Sequence, residues 1–431
     1  MGRLLFLLLI SIPSRAQLQF HTLNEVLRYA DKHSTVSAKA PLLEEVSRLE
    51  MKAARSSLKP QVNLIADANY YPVISSLLVP DKMLGGTDSK LTKVQLGLPF
   101  AMSAGIEATI PVIAFDKWAV LKKAQMENVR THFTEKAKLE RLHIELTQAY
   151  FEILAMKELL ELNKENTEAI SRLMVVMDAR KKEGVLDPAA YNSARNLQLE
   201  TEHTYWIYTG LQKQHLIKLK SLMNIPQEDS IMLVQSLPGF TQQVIQLVPV
   251  SKRAAAQESA MKVLVARQTL SISEKASLPK LYAFGRYATN YQMRFGSHSQ
   301  QVHFDASTVG VRLDIPLLAG RYYKTQRFKN NLLVKSAEAD QEDLINKLRE
   351  EQAIWKNGYQ TAVMKQSSLE KKVMVNADNL RIANAQLKEG VMEFEQYNTI
   401  FLEFNKARLD QIQNLFDGLL YAQLLRMPDG Q

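Results

Sequence analysis

Residues 114–183 read AFDKWAVLKKAQMENVRTHFTEKAKLERLHIELTQAYFEILAMKELLELNKENTEAISRLMVVMDARKKE and contain neither proline nor glycine. Apolar residues recur in this run at steps of three and four, as in Leu139, Leu142, Leu146, Ala149 and Ile153. This spacing predicts one continuous α-helix. At about 1.5 Å per residue the helix would be roughly 105 Å long, which is too long for an ordinary globular domain.

The long helix is predicted to end in a tight turn and to be followed by a returning helix. Lys182-Glu183-Gly184-Val185 comes directly after it, and a glycine past the last helical turn is a typical helix stop. Asp187 and Pro188 then provide the N-cap and the first residue of a second helix, over about 188–223. The sequence therefore predicts a helical hairpin with its tip near Gly184.

The same arrangement recurs later in the chain. Three pairs of short strings lie in nearly the same register: 182–185 with 388–391, Tyr191-Asn192 with Tyr397-Asn398, and Ile110-Pro111 with Ile315-Pro316. These matches predict a tandem duplication. The second helical hairpin has its long arm over 322–389, interrupted only by Gly358, its tip near Gly390 and its return arm over about 392–425.

The predicted domains follow from this duplication: a signal peptide over 1–16, a first repeat over 17–226, a connecting segment over 227–250 and a second repeat over 251–431. Each repeat contains an opening helix, a β-hairpin (60–111 and 279–316) and a helical hairpin. The opening helices are predicted over 22–58, starting at a Thr22–Glu25 capping box, and over 251–278. The first β-hairpin carries about 14 extra residues, which predicts an inserted loop.

Between the helices the apolar period changes from 3.6 to 2. The run from Lys93 to Ile110 alternates over 18 residues, whereas a soluble strand usually has about 5–6. Such long alternating strands are typical of membrane β-barrels. The side chains predicted to face lipid are Val94, Leu98, Phe100 and Ile106. Those predicted to face the lumen are Lys93, Gln95 and Glu107. A soluble β-hairpin domain remains the alternative.

Four predicted strands per chain cannot enclose an open passage. Even eight strands leave an interior that side chains fill, and bacterial barrels use even strand numbers from eight upward. A trimer with twelve strands is the smallest symmetric assembly that leaves a passage. The predicted fold class is therefore mainly α with a membrane β-barrel: coiled-coil helical hairpins in tandem repeat, forming a trimeric α-barrel and a 12-stranded β-barrel.

The N-terminus and composition predict the compartment and exclude several classes. Arg3 followed by an apolar run to Ile12 and a Ser14-Arg15-Ala16 site reads as a signal peptide. The chain has no cysteine, which excludes disulfides, thiol catalysis and a lipidated cysteine. The net charge of +9 comes from interleaved charges of both signs, so nucleic-acid binding is not expected.

Several local strings resemble the TolC-like outer-membrane efflux proteins. They are the Ala54–Pro60 and Ala276–Pro279 starts of the first strands, the Ile110-Pro111 and Ile315-Pro316 strand exits, the Gly-Val tips, and the segment 219–226. The resemblance covers about 18–425. It implies a homotrimeric channel in the outer membrane with a periplasmic helical tunnel, serving export of drugs or proteins with a periplasmic adaptor protein and an inner-membrane pump.

The resemblance also implies where the functional sites lie. The adaptor is expected at the tips: Gly184, Val185, Leu186, Gly390, Val391 and Met392. Family members commonly carry aspartates six and nine residues after the second tip glycine, where this chain has Gln396 and Thr399. The predicted constriction therefore consists of Glu393, Glu395, Gln396, Tyr397 and Thr399. Solvated glutamates at a helix start, and tips packed against one another, are the alternative interpretations.

No enzyme motif is present: the sequence contains no HExxH, no Walker or Rossmann glycine motif and no GxSxG. Neither a catalytic site nor a cofactor is expected. His298, His303 and Asp305 fall near one predicted turn and are candidate metal ligands, although isolated histidines near a barrel rim are more often bystanders. A secreted trimeric coiled-coil scaffold or adhesin without channel activity is the alternative function.

Overall fold

The computed structural model describes residues 18–87, 90–239, 242–296, 301–317 and 320–427. The predicted signal peptide, residues 1–16, lies outside this part of the chain, and so does His298. In chain order the helices and strands are β1 (Leu18–Phe20), α1 (Leu23–His33), α2 (Thr35–Ser56), β2 (Gln61–Tyr70), β3 (Ser76–Pro80), β4 (Leu91–Gln95), β5 (Phe100–Ile113), α3 (Phe115–Lys182), α4 (Pro188–Met223), β6 (Ile231–Leu233), α5 (Ala254–Lys275), β7 (Lys280–Met293), β8 (Gln301–Asp314), α6 (Tyr322–Glu389) and α7 (Phe394–Arg426).

The helical hairpins agree with the sequence expectation. Helices α3 and α6 each have 68 residues, while the returning helices α4 and α7 have 36 and 33. Asp187 caps α4, its side chain accepting from the Ala189 N–H, and Pro188 is the first residue of α4. Among the described residues, none of the helices combines the length and the apolar composition that a membrane crossing requires.

The first opening helix differs from the single helix expected over 22–58. Thr22 and Glu25 form the N-terminal hydrogen bonds of α1, with Glu25 accepting from the His21 N–H at 2.7 Å. Ser34 then adopts an extended conformation and separates α1 from α2. Pro41 lies inside α2 without ending it. The Ser34 side chain accepts from the Ser37 N–H, so Ser34 acts as the cap that restarts the helix.

The chain forms two compact units. The described residues of the first lie within Met1–Glu44, Thr131–Ala260 and Asp340–Gln431, and those of the second lie within Glu45–Arg130 and Met261–Ala339. Each unit takes segments from both predicted repeats. In the first unit a hydrophobic core joins α1, the middle of α3 and the ends of α4 and α7, with Tyr150, Leu154, Leu219 and Leu424 fully buried.

The second unit contains a four-stranded antiparallel sheet in the order β2-β5-β7-β8. The helical segments flanking these strands follow the same order. Asn128 of α3 donates to Ser47 of α2, Gln268 of α5 donates to the Ala119 carbonyl of α3, and Arg267 of α5 pairs with Glu338 of α6 at 2.7 Å. Within this unit, neighbouring strands are therefore connected to neighbouring helices.

The expected 18-residue strand over Lys93–Ile110 is interrupted. Lys93, Val94 and Gln95 belong to β4, which pairs with β3 in a separate two-stranded sheet. Gly97 has a φ of 99°, and Pro99 supplies no N–H, so the ladder breaks over 96–99 before β5 begins. Leu98 lies in this break. Of the residues assigned to the two faces, only Phe100, Ile106 and Glu107 are in the four-stranded sheet. The hairpin β3–β4 is the insertion expected in the first repeat.

Candidate functional site

Both helical hairpins turn at a glycine in the left-handed region. Gly184 has a φ of 73° and Gly390 a φ of 79°. After each glycine the next N–H donates back to a carbonyl of the last helical turn, Val185 to Arg180 at 3.2 Å and Val391 to Gln386 at 2.9 Å. These bonds close the C-termini of α3 and α6 and require a residue that tolerates positive φ. The tip glycines therefore have a conformational role.

The apolar residues of the tips are exposed unequally. Val185 is 72% exposed and Val391 is 74% exposed. Leu186 and Met392 are half-buried, because both pack against a hydrophobic cluster below the turns. Each tip thus presents one exposed valine immediately after its glycine, and the other two apolar residues assigned to adaptor docking, Leu186 and Met392, are partly covered by the chain itself.

The hydrophobic cluster beneath the turns joins the two hairpins, and we call it the tip cluster. Its buried members come from all four long helices: Ile170, Leu173, Met174, Met177, Ala194, Ala383, Leu387, Phe394, Tyr397 and Phe401. Phe394, Tyr397 and Phe401 follow one face of α7, and the rings of Tyr397 and Phe401 stack with centroids 6.2 Å apart. The cluster holds the second hairpin against the first.

Tyr397 is a central member of this cluster and not a surface residue. It is 1% exposed, and burial raises the pKa of its hydroxyl above the usual value. Its hydroxyl is therefore not placed to line a pore, in contrast to the role expected from the sequence. Its counterpart in the first repeat, Tyr191, lies nearer the surface, where it donates to Asp178 at 3.0 Å and its ring stacks under the Lys181 ammonium.

Arg180 makes a polar connection between the tips that the sequence analysis missed. From the end of α3 its guanidinium donates to the Leu387 carbonyl at 2.7 Å and to the Lys388 carbonyl at 3.2 Å, at the end of α6. A cation at a helix C-terminus satisfies unpaired carbonyls and is favoured by the helix dipole. Arg180 therefore caps a helix of the other hairpin. Its place four residues before the tip glycine is the only sequence signal that could have drawn attention to it.

The acidic residues of the second tip are exposed at the start of α7. Glu393 occupies the N-cap position without a side-chain capping bond, and Glu395 lies in the first turn. Both are exposed, as are Gln396 and Thr399, whose hydroxyl donates to the Glu395 carbonyl at 3.0 Å. Four of the five residues predicted for a constriction therefore share the exposed surface of this turn, and Tyr397 does not.

A buried ion cluster lies elsewhere in the first unit, at the start of α5. Arg253 is 5% exposed and donates to Glu140 of α3 and Glu351 of α6, each at 2.6 Å. Burial alone would lower the pKa of Arg253, but the hydrogen bonds to Glu351 and Glu140 raise it above its ordinary value. Glu140 also accepts from the Ala254 N–H. The cluster fixes the beginning of the second opening helix between the two long arms.

The four-stranded sheet has one mainly apolar and one mainly polar face. Cross-strand neighbours on the apolar face include Leu64, Ile106 and Tyr287, whereas the same register places Asn63, Glu107 and Arg286 on the other face. Tyr70, Phe100 and Phe295 form an aromatic group at one end of the strands.

The sheet also contains one close backbone approach. On the polar face a Cβ added to Gly105 would lie 2.5 Å from the Ala288 side chain, so this position accepts only glycine. Close approach of this kind accompanies strong local curvature of a sheet.

His303 and Asp305 lie on β8, on the same face as Tyr287. His303 contacts the Thr289 hydroxyl at 2.6 Å, and Asp305 accepts from the Tyr287 hydroxyl at 2.8 Å. Across the described part of the chain, no group of three or more histidine or carboxylate side chains is arranged to hold a metal ion. The two side chains are therefore engaged with neighbours on β7.

The fold is similar to that of several solved bacterial outer-membrane proteins. The outer-membrane channel CmeC of Campylobacter jejuni matches with a TM-score of 0.76 and 13% identity, over 94% of this chain and 84% of that one. The outer-membrane channel MtrE of Neisseria gonorrhoeae, solved in its open state, matches with a TM-score of 0.72 and 14% identity, over 94% and 88%. VceC of Vibrio cholerae matches with a TM-score of 0.70 and 14% identity, over 94% and 93%.

No protein-family model and no curated protein matches the sequence. The likeness therefore lies in the three-dimensional arrangement and extends over nearly the whole chain. The resemblance to the TolC-like proteins is confirmed at the level of the fold: the chain has the fold of the outer-membrane efflux channels.

Proposed function

We propose that this protein is the outer-membrane channel of a tripartite efflux or secretion system, a passive duct that spans the outer membrane and extends into the periplasm. The observation that carries the proposal is the match to outer-membrane channels along 94% of the chain, which includes both the sheet and the helical hairpins. The chain acts as a homotrimer and performs no catalysis.

The free edges of the sheet support a closed trimer. Strands β2 and β8 each pair on one side only within the described residues, and the four strands alternate in direction. A β8 strand placed beside β2 of a second copy would continue the antiparallel order. Three copies then close a 12-stranded barrel and leave no unpaired edge.

The two faces of the sheet support its orientation in the membrane. The face with Leu64 and Ile106 suits lipid, and the face with Asn63, Glu107 and Arg286 suits a water-filled lumen. Arg286 lies 3.9 Å from Asp67, so charges of both signs meet on this face. The close approach at Gly105 occurs on the polar side, as expected if the sheet curves around the lumen.

The tips are the proposed docking site for a periplasmic adaptor protein, which connects the duct to an inner-membrane pump. Val185 and Val391 are apolar, exposed and placed on turns closed by backbone hydrogen bonds, which favours coverage by a partner. Glu393, Glu395, Gln396 and Thr399 form the proposed constriction, where three copies would concentrate negative charge.

Membrane fractionation tests the location and the barrel together. We expect the protein in the outer-membrane fraction, with a gel mobility that changes on heating because a closed barrel resists SDS until it is boiled. A protein that stays in the soluble fraction would favour the scaffold alternative.

Adaptor docking is tested separately with Val185→Asp and Val391→Asp, which we expect to abolish adaptor cross-linking while trimers remain in the membrane. Undiminished cross-linking would remove the docking assignment.

A further inference from the structure

The excess of basic residues in the chain is concentrated beside the sheet. Residues 46–60, which lead into β2, contain four basic residues and one acidic one, and residues 320–337, at the start of α6, contain five basic residues and none that is acidic. These two segments carry a net charge of +8, against +9 for the whole chain. Both belong to the second unit, so the positive charge lies where the helices join the strands.

Helix α3 shows which side of this junction continues the apolar face of the sheet. Lys280, on the polar face of β7, pairs with Asp116 in the first turn of α3. Phe115, Trp118 and Lys122 are exposed and follow one side of α3. At about 100° per residue, the middle of that side lies about 130° from Asp116. It therefore continues the apolar face, and we call it the outward side.

The outward side of α2 is basic. Seen along α3 from its first residue, the outward side lies about 110° clockwise from Asn128, which contacts Ser47 of α2. Helix α2 runs in the opposite direction beside α3, so its own outward side also lies clockwise from Ser47. Arg55 and Lys52 lie about 80° and 140° clockwise from Ser47, and both are exposed.

The start of α6 has a similar outward side. Helix α6 runs parallel to α3, and α5 lies beside it on the side that corresponds to α2 beside α3. The side chains of Arg327 and Asn330 make the contacts to α5 and to the turn after it. Lys324 and Phe328 lie about 110° clockwise from these contacts, which is the outward side. Both are exposed, Phe328 by 65%.

These outward residues lie at one level beside the sheet. We call the basic ones the basic belt: Lys52, Arg55, Lys122 and Lys324. The exposed aromatic side chains Phe115, Trp118 and Phe328 lie at the same level. All seven are within about 11 Å of the helix ends that join the strands. The headgroup layer of a bilayer is about 5–7 Å thick, and aromatic and basic side chains are typical of its boundary.

We propose that the basic belt binds the anionic headgroups of phospholipids in the periplasmic leaflet, with the aromatic side chains at the edge of the acyl chains. Basic residues beside a membrane attract anionic lipids, and those of the belt adjoin the apolar face of the sheet. Glu274 of α5 is an exposed carboxylate at the same level, and it lowers the excess of positive charge without reversing it. The proposal rests on the proposed function, because the apolar face must face lipid.

Lipid retention tests the proposal. The protein is reconstituted in nanodiscs with equal parts of phosphatidylglycerol and phosphatidylcholine, and native mass spectrometry counts the lipids that stay bound. The belt variant combines Lys52→Gln, Arg55→Gln, Lys122→Gln and Lys324→Gln. The control makes the same change of charge at four exposed lysines of the first unit: Lys213→Gln, Lys365→Gln, Lys371→Gln and Lys406→Gln. We expect wild type and control to retain phosphatidylglycerol in preference by about fivefold or more, and the belt variant to lose this preference.

The outcomes separate this proposal from the channel function. Trimers that enter the nanodiscs with the same lipid ratio in wild type and belt variant would overturn the proposal and leave the channel standing. Protein that never enters the nanodiscs would overturn both. An unchanged lipid ratio together with loss of binding to purified cell-wall sacculi would assign the belt to an anionic polymer, which also overturns the proposal.

Tryptophan fluorescence provides a second measurement that does not depend on the belt variant. Phospholipids brominated near the headgroup quench an indole at the membrane boundary. Trp206 and Trp355 belong to the first unit, whereas Trp118 belongs to the second. We therefore expect quenching in wild type that is largely lost in Trp118→Phe. Equal quenching in the two proteins would show that this level of α3 does not lie at the membrane, and would overturn the proposal.

Discussion

At the scale of single residues, the duplicated chain uses equivalent positions differently. Tyr191 and Tyr397 stand at matching places after the two tip glycines, yet Tyr191 forms a surface contact with Asp178 while Tyr397 is buried in the tip cluster. Arg180 bonds to the end of α6. The first hairpin therefore supplies the polar connection and the second supplies much of the apolar core. Both interactions hold the hairpins together.

Replacing Arg180 should loosen the tips. Arg180→Gln removes the charged donor to the Leu387 and Lys388 carbonyls, and hydrogen bonds to charged groups contribute roughly 1.5–3 kcal/mol. We expect a higher single-channel conductance in planar bilayers, because the second hairpin can move outward. Lys181→Gln is the control, since Lys181 contacts Tyr191 within its own hairpin. Equal conductance of wild type and Arg180→Gln would show that this contact does not restrain the tip.

Tyr397 should tolerate loss of its hydroxyl but not of its ring. Tyr397→Phe keeps the stacking with Phe401 and should leave both conductance and thermal stability close to wild type. Tyr397→Ala creates a cavity in the tip cluster and should lower the free energy of unfolding by about 3–5 kcal/mol. Thermal denaturation of the trimer measures the stability of the two variants, and single-channel recording measures the conductance of Tyr397→Phe. A large conductance change in Tyr397→Phe would instead show that this hydroxyl lines the pore.

At the scale of helices and strands, the register of the sheet assigns each residue of β2 to one face. Leu64→Arg should weaken the membrane-inserted protein by about 2–4 kcal/mol, because it places a charge in the lipid. The neighbouring Asn63→Arg is the control and should be tolerated in the lumen. Folding of both variants into lipid vesicles, followed by heat-modifiable mobility, provides the measurement. Equal insertion of the two variants would mean that the faces are assigned incorrectly.

The helical hairpins and their tips could be predicted from the sequence, because helix length, the tip glycines and the Asp187-Pro188 cap are local signals. The break of the long strand at Gly97 could not, since apolar alternation continues through residues that pair with a different partner strand. The separation of α1 from α2 at Ser34 could not either, because a serine also occurs inside helices and its capping of the Ser37 N–H depends on the folded backbone.

In the candidate site, too, some features could be predicted from the sequence and others could not. The exposure of Val185 and Val391 follows from their place after a turn glycine, but the burial of Tyr397 depends on packing between two hairpins more than 200 residues apart in sequence. Arg180 bonds to backbone carbonyls of the other hairpin, and backbone acceptors leave no signature in side-chain identity. Contacts between distant segments therefore set the limit of what the sequence could reveal.

At the scale of the whole molecule, the exposed acidic residues at the start of α7 should determine ion preference. Three copies of Glu393 and Glu395 around one axis would attract cations and repel anions. We expect a cation-selective reversal potential under a salt gradient, and weaker selectivity in the Glu393→Gln, Glu395→Gln double variant. Unchanged selectivity in that variant would place the constriction in another part of the chain.

Three copies of this chain are proposed to enclose a continuous passage, and single-channel recording shows whether they do. Purified trimers should be confirmed by native mass spectrometry and then added to one side of a planar lipid bilayer. We expect discrete, stepwise increases in ionic current, each from one inserted trimer, with larger steps for Arg180→Gln. Folded trimers that insert into the bilayer and never carry current would contradict it.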